Sequence, residues 1–131
     1  MKIAQQLKEK NIAEYLIYMW QVEDLLRANG CDTDRLRDNI VMRYPEEERA
    51  ALEEWYGNLA DMMRAEGVTE KGHLQINRNA VQNLTELHGA LLASTKYPFY
   101  NAAYFKALPF IVELRRRNGR QEESEIETCF E

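Results

Sequence analysis

No stretch of this 131-residue chain alternates apolar and polar side chains for the length of a β-strand; its apolar residues recur every three or four positions instead. That period, cut at intervals by helix-ending residues, confines the chain to an all-α fold. Asn11 and Glu14 have capping-box spacing, with Asn in the place of the usual Ser or Thr. Ile12, Leu16, Met19 or Trp20, Glu23 and Leu26 then follow at helical spacing until Asn29-Gly30 supplies a C-cap. A short helix over residues 3–10 precedes them. The next helix opens within residues 32–34 and carries Leu36, Ile40 and Tyr44, spaced by four. Pro45 stops it, because the residue before a proline avoids the helical region.

Pro45 also suits the first turn of a third helix, where Glu46, Glu47 and Glu48 meet the positive end of the helix dipole. Leu52, Trp55, Leu59, Met62 and Met63 form its apolar stripe and Gly67 ends it. After a loop over residues 68–72, a fourth helix spans 74–93 with Leu74, Val81, Leu84, Leu87 or His88, and Leu91 on one side. Pro98 opens a fifth, which ends at Asn118-Gly119 with Arg115, Arg116 and Arg117 in its last turn. Pro109 lies inside that helix and removes a hydrogen bond to Phe105. Ser124 and Glu127 again have capping-box spacing, so a last helix begins near residue 125. Two turns are marginal for an isolated helix; the segment either packs on the body or begins a longer helix, and the second is favoured. The expected architecture is one helical domain over residues 1–131, a bundle of five to six mainly antiparallel helices joined by short loops.

Composition narrows the function classes. Apolar residues make up 45% and charged residues 30%, so the chain is neither disordered nor a polycation, and its net charge of −5 disfavours a duplex-DNA binder. The N-terminus lacks the apolar core and cleavage site of a signal peptide. The most apolar run, from Tyr15 to Trp20, falls far short of the ~20 residues that cross a bilayer. Cys31 and Cys129 stand alone, with no CxxC or zinc spacing, and read as idle thiols in a reducing cytoplasm.

Residues 10–28 (KNIAEYLIYMWQVEDLLRA), 72–79 (GHLQINRN) and 98–115 (PFYNAAYFKALPFIVELR) resemble a family of all-helical bacterial proteins found mainly in Bacteroidetes and catalogued only as a domain of unknown function. The resemblance covers most of the chain. It implies an all-α cytoplasmic protein and carries over no activity, cofactor or catalytic residue.

Two helices are apolar nearly all round, which usually means burial on several sides. Both read as central helices of the bundle, with Tyr15, Tyr18 and Trp20 in one and Tyr100, Tyr104 and Phe105 in the other as candidate interface residues. Charge is uneven: residues 32–66 hold ten acids and five bases, whereas residues 96–120 hold six bases against Glu113 alone. Glu14, Glu23, His88 and Asn101 lie at or beside apolar stripes and form a candidate ligand pocket, with Glu23 and His88 as its acid/base pair. His73 has Glu70 at Glu-x-x-His spacing, but Gly72 breaks the helix a di-iron motif needs, so the pair reads as solvated loop and no metal or cofactor is expected. No hydrolase elbow, Walker sequence, dinucleotide fingerprint or kinase signature is present. The leading expectation is a non-enzymatic, self-associating interaction or regulatory module that pairs with itself or another protein. Second stands a small-molecule-binding helical protein, an enzyme included. Third is single-stranded nucleic-acid binding through the basic, aromatic residues 96–120. No membrane partner is expected.

Overall fold

The computed structural model describes residues 2–119 and 124–130, and every regular element in it is helical. In chain order these are α1 (Lys2–Lys10), α2 (Ile12–Ala28), α3 (Thr33–Asn39), a single 3₁₀ turn (Val41–Arg43), α4 (Glu46–Glu66), α5 (Gln75–Ala93), α6 (Pro98–Asn118) and α7 (Glu125–Cys129). The short helices at both ends of the chain form, so the described residues hold seven α-helices where five to six were expected.

Local chemistry sets most boundaries. The Asn11 side chain accepts from the N–H groups of Ala13 and Glu14, and Asp32 does the same for Asp34 and Arg35. At the end of α2 the Gly30 N–H donates to Arg27 and the Cys31 N–H to Leu26, a Schellman pattern that needs the left-handed φ of +64° at Gly30. Gly67 (φ +70°) closes α4 in the same way, through Val68 to Met63. Gly119 ends α6, and the Ser124 hydroxyl caps α7 by accepting from Glu127.

The helix expected to run from Asp32 to Tyr44 instead leaves α geometry at Ile40 (φ −121°, ψ −62°) and tightens into the 3₁₀ turn. Ile40 and Val41 are adjacent and both buried. Neighbours point about 100° apart in a regular helix and about 120° apart in a 3₁₀ turn, so it is the break in helical geometry at Ile40, not the turn itself, that re-aims Val41. Arg49 then donates to the carbonyls of Tyr44 and Met42, which the broken helix leaves open.

The chain divides into two compact units, Met1–Arg78 and Asn79–Glu131, with the boundary inside α5. In the first, α2 is central, as expected: Leu16, Met19, Val22 and Leu26 are buried together with Leu36, Leu52, Leu59 and Met63. The stripe of α4 keeps Leu52, Leu59 and Met63 as expected, but Tyr56 and Ala60 are buried where Trp55 and Met62 are only half-buried. Among the described residues of the second unit the buried apolar side chains are Ala80, Val81 and Ile111, joined by Thr128 of α7. The expectation that α6 is a core helix fails. Of its 21 residues only Ile111 is buried.

Burial pushes the phenols of Tyr15, Tyr18 and Tyr56 up, most strongly at Tyr56, where Tyr18 and Tyr44 add to the effect. The folded state therefore holds protons that the unfolded chain gives up above about pH 10, so this stability is intact below that pH and is lost as pH rises beyond it. In an alkaline titration followed by phenolate absorbance, five of the seven tyrosines should ionise late: these three together with loss of helical circular dichroism, and Tyr100 and Tyr104 as well. Ionisation of all seven in one ordinary step, with the helices intact, would contradict the packing.

Candidate functional site

In the first unit the loop between α4 and α5 is tied down from α2. Arg27 donates through Nε to the carbonyl of Val68 (3.2 Å) and through Nη2 to that of Gly72. Four residues earlier, Glu23 is wholly buried, and a buried carboxylate needs partners for both oxygens. It finds them in the Leu74 N–H (2.7 Å) and His73 Nδ1 (2.8 Å). A carboxylate only accepts, so Nδ1 carries the proton of this bond. The His73 ring stacks on Trp20 with centroids 3.9 Å apart. Tyr15 donates to Asn77 Oδ1 (3.3 Å), while Asn77 Nδ2 is buried without a hydrogen-bond partner. The cluster fastens the start of α5 to α2, because a helix N-terminus leaves N–H groups that something must satisfy.

The second unit holds a separate polar cluster. His88 of α5 meets the Tyr100 hydroxyl through Nδ1 at 2.6 Å, and its Nε2 lies 3.7 Å from Glu125 Oε1 of α7. Tyr104 donates to both oxygens of Glu125, at 2.7 and 3.0 Å. That bond to an anion pushes the Tyr104 phenol up; burial, helped by Cys129 and Glu125, pushes Tyr100 up. Asn101 Oδ1 and Arg115 Nε are buried without hydrogen-bond partners. Three helices thus share one polar seam, and α7 packs on α6 through it.

Away from that seam, α6 is strongly exposed. Phe99 is 88% exposed, Phe110 71%, Phe105 65%, Val112 54% and Leu114 44%. Arg116 and Arg117 both donate to Glu113, and the two bonds hold its carboxyl below the usual range.

Of the residues singled out from sequence, Glu14 is exposed on the first turn of α2 and touches neither cluster, whereas His88 and Asn101 fall in the second unit. Glu23 takes His73 as its partner and His88 takes Tyr100 and Glu125, which replaces the expected Glu23–His88 pair. His73, read as a solvated loop residue, is half-buried against Trp20. Among the six candidate interface residues Phe105 is open to solvent; Tyr15 is buried, and Tyr18, Trp20, Tyr100 and Tyr104 are half-buried. The large exposed side chains Phe99, Phe110, Val112 and Leu114 were missed, although the surplus of apolar residues in residues 98–115 pointed to them. Glu125 and Asn77 carried no signal of their own. Among the described residues no three His, Cys, Asp or Glu side chains converge as metal ligands, and no helix is long and apolar enough to cross a membrane.

The family described as a domain of unknown function (DUF4924) matches residues 1–131. No curated protein and no solved structure matches the chain.

Proposed function

We propose, on the footing that this chain belongs to the DUF4924 family of unknown function, that it is a non-enzymatic interaction module that pairs with a second copy through α6. One observation carries the reading: a 21-residue helix buries Ile111 alone and turns three phenylalanines, Val112 and Leu114 toward solvent. A monomer's largest apolar patch rarely exceeds ~600 Å², and bigger ones mark interfaces. Phe99, Phe110 and Leu114, on one side of α6, expose on the order of 400 Å² together, a size at which such patches are often functional. A partner lying on α6 supplies the core that the second unit lacks, and it completes an antiparallel helical bundle across two chains. The unpaired thiols of Cys31 and Cys129 suit a reducing bacterial cytoplasm.

A second reading rests on the seam between α5, α6 and α7. Buried Arg115 Nε, Asn101 Oδ1 and His88 Nε2 lack hydrogen-bond partners, and a small polar ligand that both donates and accepts would satisfy them. Native mass spectrometry of the intact protein from its natural host tests both readings at once. The expected species is twice the 15.4 kDa chain mass with nothing added. A monomer free of ligand would overturn the interaction module, and an added mass per chain would move the seam to first place.

A further inference from the structure

Resting on that self-association, we infer that two copies pair α6 against α6 antiparallel, with the two-fold axis passing beside Lys106. At 3.6 residues per turn, Phe99, Ala103, Phe110 and Leu114 fall within about 60° of the helix circumference, and all four are exposed. Tyr100, Tyr104 and Ile111 lie on a different side and are the residues that face the rest of the second unit. The exposed stripe steps by four, seven and four residues. This spacing reads the same in both directions, so the stripe can meet its own reverse.

Size and charge choose the direction. A parallel pair would set Phe99 on Phe99 and Ala103 on Ala103, crowding one level and leaving a gap at the next. It would also put two copies of Arg115, Arg116 and Arg117 side by side, and like charges across an interface are penalised. The antiparallel pair sets Phe99 against Leu114 and Ala103 against Phe110 of the other copy, large against small, as close packing requires. Each arginine-bearing end then meets the exposed Tyr97 and Phe99 of its partner, an arrangement that cation–π attraction favours. The helix dipoles oppose each other as well. Phe99, Phe110 and Leu114 together expose on the order of 400 Å² per chain. Two chains, with Tyr97 and the aliphatic stems of Lys106 and Arg117, come near the ~1,000 Å² at which a specific interface begins.

Disulfide trapping in the full chain tests the direction, in a Cys129→Ser background that leaves the buried Cys31 in place. Lys106→Cys sits beside the axis and should form a covalent dimer at least ten times faster than the same chain in urea. Arg117→Cys should not, because the antiparallel pair holds its two copies about 30 Å apart by the helical rise. Rapid trapping through Arg117→Cys would mean a parallel pair and overturn the inference. If neither variant traps while light scattering reports a dimer, another surface is used; this inference then fails and self-association stands. If light scattering reports a monomer, both fail.

Discussion

Replacing Glu23 by alanine is expected to lower the unfolding free energy by about 2–4 kcal/mol, the cost of an unsatisfied buried N–H together with that of the cavity. The carboxylate is wholly enclosed, and both of its oxygens are engaged, by the Leu74 N–H and by His73. Alanine leaves that N–H without an acceptor in the interior and opens a cavity beside Leu74. A domain of this size has roughly 5–15 kcal/mol in all, so the loss is a large fraction of the whole. Glu23→Gln, which keeps an acceptor and most of the volume, should lose clearly less. Urea unfolding of the three proteins measures the differences. A change below about 1 kcal/mol in the alanine variant would mean that the carboxylate does not hold α5, since a single ordinary hydrogen bond already contributes that much.

Phe110→Glu is expected to abolish self-association while leaving the folded chain intact. The ring is 71% exposed, so its own chain has little to lose. A partner that covers the exposed ring removes roughly 120–150 Å² of apolar surface, about 3 kcal/mol at 25 cal/mol per Å². Two-fold symmetry applies the loss twice and adds a pair of buried carboxylates. The dissociation constant should therefore rise by at least a thousandfold. Sedimentation equilibrium reads this directly, with thermal unfolding alongside to show that the variant is folded. Val112→Thr, on the opposite side of α6 from the stripe that carries Phe110, is the control and should leave the dissociation constant unchanged. An unchanged dimer in Phe110→Glu would remove α6 as the interface.

What could be read from the sequence was decided locally. Asn11, Asp32, Gly30, Gly67, Gly119 and Ser124 act on N–H and carbonyl groups within five residues, so their spacing alone marks where helices start and stop. The early end of α3 was not legible, because it depends on Ile40 and Val41 both reaching a core assembled from other helices. Glu23 stood out as a polar residue on an apolar stripe, but its partners lie fifty positions away, and nothing near His73 announces the pairing. The apolar excess of α6 was plain as well. Buried and exposed apolar side chains leave the same pattern in sequence; the structure leaves Phe99 and Phe110 bare.

The way α5 starts also sets the order in which the chain folds. Helices α2 and α4 carry their own stop signals in Gly30 and Gly67, but the first amides of α5 are met by side chains from elsewhere, Leu74 by Glu23 and Gln75 by Glu66. The Glu23 link closes a loop of 51 residues, a contact whose chain entropy must be overcome before it rewards the fold. Helices α2 and α4 can therefore consolidate first, and the first turn of α5, within the first unit, docks late onto a surface they have already made. In kinetic terms, a change at Glu23 should speed unfolding and leave refolding nearly untouched, because the rate-limiting barrier is crossed before that carboxylate finds its helix.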